Sequence, residues 1–182
     1  VAYEMNGEEL PIEHGYPLRL VVPGWYGMAS VKWLSGIKVI DYEFEGFFQT
    51  DRYVIENDDG VREQIKEMST KSLISSPSGG EVLANNPTCV AGMAWSGNAQ
   101  IKNVEFSSDG GQTWEQATLT GPSERYAWQQ WHMTWTPPSS GHYTLACRAT
   151  DRLGNVQPIE NRWNAGGYVV NGVRPVCVTV AA

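Results

Sequence analysis

The stretch Ile101-Lys102-Asn103-Val104-Glu105-Phe106-Ser107-Ser108-Asp109-Gly110-Gly111-Gln112-Thr113-Trp114-Glu115-Gln116-Ala117-Thr118-Leu119 decides the fold. Ser108-Asp109-Gly110-Gly111 is a turn, because glycine supplies the positive φ that tight hairpin connections require. Its flanks, 101–107 and 113–119, read as the two strands of a hairpin. Working outward, residues 89–95 form another strand, ended by Ser96-Gly97-Asn98. Residues 128–135, 142–150 and 173–180 complete a series of short strands with no long helical period between them. The series predicts a mainly β chain ending in an antiparallel, immunoglobulin-like β-sandwich. The cluster Ser75-Ser76-Pro77-Ser78-Gly79-Gly80 marks the entry to that domain, which divides the chain into 1–70 and 71–182.

Composition narrows the function classes. The 182 residues can bury a real core. Nineteen glycines and ten prolines, with only 18% charged residues, suit a turn-rich β protein and exclude a disordered one. A net charge of -7 disfavours nucleic acid and anionic membranes, so an anionic ligand has to be drawn by a local basic cluster. No apolar run approaches the roughly 20 residues of a membrane helix. Cys89, Cys147 and Cys177 fall in no metal-ligand spacing, and a Cys89–Cys147 disulfide across the sandwich stays open. The chain starts with Val1, and its first residues read as the end of an element already under way. The expectation is therefore a preceding segment that completes the first domain.

The basic cluster lies near the start. His14-Gly15-Tyr16-Pro17-Leu18-Arg19-Leu20-Val21-Val22-Pro23-Gly24 reads as a turn and then a strand, with Arg19 on the face opposite Leu18 and Leu20. Ser30-Val31-Lys32-Trp33-Leu34 adds a hydroxyl and a second cation. Glycines at 24 and 27 let a backbone approach a ligand closely and offer N–H donors, as anion-binding loops do. Such residues suit a phosphate or a similarly charged cofactor. The same pattern also suits two solvated cations among turns. Residues 56–71 are charged and read as a loop or a short helix around 61–68. Gly46-Phe47-Phe48-Gln49-Thr50-Asp51-Arg52-Tyr53 ends an aromatic run on a tyrosine, which by itself suits a half-buried packing role. Asp109 with its two glycines suits a hairpin more simply than a calcium loop.

The order Met5-Asn6-Gly7, Leu10-Pro11, His14-Gly15, Pro17, Arg19, Val22-Pro23-Gly24 and Val31-Lys32-Trp33-Leu34 resembles the sulfite oxidase family of molybdopterin-dependent oxidoreductases. The likeness continues through Gly92-Met93-Ala94-Trp95, Ser108 to Trp114, Trp128 to Trp131, Asn155-Val156-Gln157-Pro158 and Trp163-Asn164. It implies that 1–70 is the C-terminal segment of a mixed α+β molybdenum-cofactor domain and that 71–182 is a dimerisation domain. It further implies cofactor binding by His14, Arg19, Ser30, Val31 and Lys32, and an active-site role for Tyr53. A metal-ligating Cys is expected upstream, since all three cysteines here fall in the β domain. The family brings an Arg from its last strand to the substrate; Arg174 is one residue early, in Val173-Arg174-Pro175 where Trp-His-Arg is usual. In a strand one residue reverses the facing, so a solvated Arg174 is the competing reading.

The chemistry this implies is oxygen-atom transfer that turns sulfite into sulfate, with electrons leaving one at a time to a cytochrome or similar acceptor. A small oxyanion substrate, a homodimer and, in a bacterium, a periplasmic location follow from the same likeness. The rivals are a sister molybdoenzyme acting on nitrate, sulfane sulfur or a sulfoxide, and a non-catalytic dimerisation module.

Overall fold

A computed structural model describes residues 1–56 and 59–182. The chain divides into two compact units, residues 1–68 with 163–168, and residues 69–162 with 169–182.

The first unit opens on β1 (Glu4–Met5) and β2 (Glu8–Glu9), paired antiparallel. Asn6 and Gly7 connect them with φ of 56° and 85°, the double positive φ that an Asn-Gly hairpin turn is built for. Residues 4–9 thus form a hairpin. A 3₁₀ turn, Ile12–His14, ends on Gly15 at φ 115°. Residues 18–22, read above as a strand, run extended without a ladder: Ala2 and Arg19 form an isolated bridge, and Leu20 N donates to Val31 O at 2.9 Å. A second 3₁₀ turn spans Gly27–Ala29, and a π-helical turn spans Phe48–Arg52.

β3 (Val54–Glu56) then pairs antiparallel with β4 (Arg62–Gln64), so a strand stands where the charged stretch left a helix open. Arg62 bridges Glu56 at 3.6 Å across the pair. Among the described residues this unit contains no α-helix, which makes the α part of the expected α+β segment absent from this portion.

The second unit is a sandwich. Its strands are β5 (Lys71–Ser76), β6 (Val82–Leu83), β7 (Thr88–Trp95), β8 (Ile101–Ser107), β9 (Glu115–Gln116), β10 (Thr118–Thr120), β11 (Gln129–Trp135), β12 (Gly141–Asp151) and β13 (Val176–Val180). One sheet runs β10-β11-β7-β5, the other β6-β13-β12-β8-β9, and only β6–β13 is parallel. Period-two alternation aims Val90 and Ala94 of β7, Trp131 and Trp135 of β11, Val104 and Phe106 of β8, Leu145 of β12 and Val178 of β13 into one shared core. Gly92 is required there. A Cβ would meet the Leu73 carbonyl and come within 2.5 Å of the Trp131 ring, its register partner on β11.

The hairpin reading of 101–119 is half correct. β9 does pair with β8, through Glu105↔Gln116 and Phe106↔Glu115. The chain then passes from one sheet to the other: β10 pairs with β11. The switch sits at Ala117, 4% exposed, whose N–H still bonds Val104 O at 2.9 Å. Strand 173–180 likewise shortens to β13, since Val173 N is taken by Pro158 O at 2.9 Å.

A polar seam closes one edge of the sandwich. The Gln157 side-chain oxygen accepts from Ser72 N (2.8 Å), Ser72 Oγ (2.7 Å) and Ala149 N (3.2 Å), so one amide joins β5 to β12 of the opposite sheet. Beside it the Asp151 carboxylate accepts from Thr70 Oγ1, Ser96 Oγ and Asn155 Nδ2, each at 2.9 Å, and from Leu153 and Asn155 N–H. Burial raises its pKa, but these donors outweigh that and hold it below the ordinary value.

All three cysteines are free. Cys89 points outward while Val90 points into the core, so the open disulfide with Cys147 is not made. Burial pushes the Cys147 thiol up to about 12, and it stays protonated.

Candidate functional site

The cation cluster is built by a glycine. Gly15 is buried, and a Cβ on it would lie 3.1 Å from the Lys32 Cβ and 3.2 Å from the Arg19 Cβ. Its missing side chain therefore lets two cationic residues from different segments stand side by side. The carbonyls of the 3₁₀ turn Ile12–His14, which have no helix to continue into, take their donors. Lys32 Nζ donates to Glu13 O at 2.9 Å, Trp33 Nε1 to Ile12 O at 2.9 Å, and Arg19 Nη1, at a longer 3.4 Å, to His14 O. Lys32 also lies over the Trp33 ring, 4.7 Å from its centroid. Trp33 itself takes φ 53°, a left-handed backbone that a bulky residue keeps only where its surroundings hold it there.

Among the described residues neither Arg19 nor Lys32 forms an ion pair. Each keeps donors to spare, since a guanidinium has five and an ammonium three. Two adjacent cations without a carboxylate fit a phosphate-terminated cofactor such as a molybdopterin. The His14 ring is exposed, and its backbone serves the cluster. The Ser30 hydroxyl accepts from Val22 N at 3.2 Å and its N–H donates to Gly27 O at 3.1 Å. It fixes the loop before Lys32.

A cavity of about 480 Å³ opens in the same unit, and both Val31 and Tyr53 line it. Trp25, Met28 and Phe48 make its wall apolar, and Gln49 and Gln64 add neutral amides. Tyr53 ends the π-helical turn Phe48–Arg52, a local distortion frequent at functional sites. Its N–H donates to Phe48 O at 3.0 Å and its carbonyl accepts from Ile65 N at 2.8 Å. Its ring stacks on Phe48 at 5.9 Å, and its hydroxyl has no hydrogen-bond partner among the described residues. A phenol so placed is able to donate to a ligand oxygen.

The structure thus gathers His14, Arg19 and Lys32 around one turn and Val31 with Tyr53 around one cavity. Arg174 belongs to the other unit, exposed and two residues before β13, so the strand-facing argument does not reach it. Sequence reading missed Gly15 as the organiser, Trp33 as the clamp on Lys32, and Tyr168, whose ring lies 5.6 Å from that of Tyr53. The His14-Gly15 pair carried the first signal, and the double glycine at 166 and 167 carried the last.

Asp109 is a turn residue, not an ion site. It accepts from the Thr113 hydroxyl, Thr113 N–H, the Ser107 hydroxyl and Gln112 N–H, which hold its carboxyl well below the usual range. Among the described residues no group of three metal-ligating side chains occurs.

Comparison with known proteins gives two family matches. Residues 1–48 match the oxidoreductase molybdopterin binding domain, and residues 62–180 match the Mo-co oxidoreductase dimerisation domain. The chain is 34% identical to mitochondrial sulfite oxidase of Mus musculus over 99% of its own length and 36% of that protein's. It is 32% identical to a nitrate reductase of Phaseolus vulgaris, over 94% of this chain and 22% of the other. The crystal structure of the sulfane dehydrogenase SoxCD from Paracoccus pantotrophus superposes with a TM-score of 0.83 at 35% identity, covering 95% of this chain and 46% of that one. The chain therefore spans about a third to a half of the sulfite oxidase and sulfane dehydrogenase it matches. With both family matches in place, it belongs to the sulfite oxidase family of molybdopterin oxidoreductases.

Proposed function

We propose that this chain is the C-terminal part of a molybdenum oxidoreductase that oxidises sulfite to sulfate and passes the electrons one at a time to a cytochrome-like acceptor. The observation that carries the reading is the placement of Arg19 and Lys32 around Gly15, with neither of them in an ion pair among the described residues. Arg19 and Lys32 bind the cofactor's terminal phosphate, and the carbonyls of 12–14 aim their side chains. When bound, the molybdenum-pterin group supplies the oxygen-atom and electron transfer. The Tyr53 phenol donates a hydrogen bond to the substrate oxyanion and exchanges its proton there. The sandwich joins two such chains into a homodimer, as the dimerisation-domain match supports.

The test is the molybdenum-to-protein ratio of the full-length protein with Arg19→Ala. One lost charge-assisted contact is worth about 1.5–3 kcal/mol, so occupancy at limiting cofactor should fall about tenfold or more. Full occupancy would remove Arg19 from the anchor. Tyr53→Phe should keep the metal and lower turnover.

One observation favours a second reading. The cavity at Tyr53 is apolar and bears neutral amides, with no cation among its lining residues. That wall suits a sulfane sulfur terminus, and SoxCD is a sulfane dehydrogenase at 35% identity. Parallel assays of the intact enzyme with sulfite and with a protein-bound sulfane distinguish the two.

A further inference from the structure

Among the described residues the Tyr53 phenol has no hydrogen-bond anchor, so the aim of that ring depends on what packs against it. Phe48 stacks on it with planes at 24°. Its other ring neighbour is Tyr168, 5.6 Å away and tilted by 53°. Tyr168 arrives from far along the chain, on the segment 163–168 that belongs to the first unit.

The loop carrying Tyr168 is closed on itself. Asn164 Nδ2 donates to Tyr168 O at 2.8 Å, Tyr168 N donates back to Asn164 Oδ1 at 2.9 Å, and Gly167 N donates to Asn164 O at 3.0 Å. Gly167 supplies φ 66°. Gly166 lies so close to the Tyr168 ring that a Cβ there would stand 2.5 Å from it. The next residue, Val169, takes φ 53°, a conformation a β-branched side chain keeps only under constraint. Separate devices therefore fix the backbone that carries this ring, and the ring lies against that of Tyr53.

We propose that Tyr168 is a positioning residue: the 164–168 loop holds the Tyr53 phenol in one orientation in the cavity. The inference rests on the proposed role of Tyr53. An orientation set in advance removes a search that the reacting complex would otherwise make.

The test starts on the 182-residue chain carrying ¹³C-ring-labelled tyrosine, with the Tyr53 signals identified by their loss in Tyr53→Phe. In Tyr168→Leu the Tyr53 ring should lose the part of its ring-current shift that Tyr168 supplies and flip about tenfold faster or more, whereas Tyr168→Phe should preserve the native spectrum. Asn164→Ala, which opens the loop but retains the ring, should act in the same direction to a smaller extent; it also serves if Tyr168→Leu does not fold. In the holoenzyme Tyr168→Leu should lower kcat about tenfold with KM nearly unchanged, and should add nothing to Tyr53→Phe.

Unchanged Tyr53 signals in both Tyr168→Leu and Asn164→Ala would overturn the proposal, as would additive losses in the double variant. If Tyr53→Phe lowers turnover and Tyr168→Leu does not, positioning fails while the Tyr53 reading survives. If Tyr53→Phe leaves turnover intact although Tyr168→Leu frees the ring, the Tyr53 reading fails and positioning falls with it.

Discussion

Gly15 does more for the site than any charged residue, because it determines where the charges stand. Arg19 and Lys32 come from segments joined by backbone bonds such as Leu20 N to Val31 O and Leu34 N to Leu18 O, and by the bond from Val22 N to the Ser30 hydroxyl. Without a side chain at Gly15 both segments approach its backbone closely. An alanine there has to adopt φ 115° and press against two Cβ atoms. Gly15→Ala should cost about 1–3 kcal/mol in the first unit, from left-handed strain and crowding together. Denaturant unfolding followed through the fluorescence of the adjacent Trp33 would read this, and an unshifted midpoint would refute the organising role.

At the scale of elements, the sandwich depends on side chains that stand in for missing strand pairing. Gln157 bonds β5 to β12, and Asp151 collects five donors from the segments around it. The Asp151 pKa is lowered from 3.8 in the folded chain. Its ionised form therefore stabilises the fold above that value, and the contribution disappears as pH falls through the folded pKa. The melting temperature should hold steady down to about pH 5 and decline below it as pH falls through the folded pKa, which lies under 3.8, and Asp151→Asn should lower it at neutral pH while flattening the acid decline. An acid profile identical in the variant would assign that decline to other carboxylates. The alternating strands of this unit were legible in the sequence because burial on one face imposes a period of two. The passage of 113–119 between sheets was not, since Ala117 fits either ladder and only its pairing partners choose.

For the molecule as a whole, the two units differ in what holds them. The shared apolar core, from Ile74 to Val180, lies entirely in the second unit, whereas among the described residues Leu10 and Ile65 are the buried apolar side chains of the first. Amide hydrogen exchange should therefore open β3 and β4 at lower free energy than β7, β11 and β12. Equal protection would mean that the first unit draws stability from contacts beyond its own core. The dimerisation-domain match leads to a second outcome: the 20.2 kDa chain should sediment as a dimer, and a monomer at micromolar concentration would refute that role.

What the sequence determined by itself is local and periodic. Strand positions, the Asp109 turn and the family's motifs are written in side chains a few residues apart, where propensity and alternation act directly. The Asn6-Gly7 hairpin is equally local, but the strands it joins are two residues each, too short to show an alternation. Tertiary structure alone decided that Gly15 seats two cations, that Ser30 ties a loop, and that Tyr168 meets Tyr53 from more than a hundred residues away. Those outcomes depend on chain closure between distant segments, and no pattern within one segment encodes the distance across a fold.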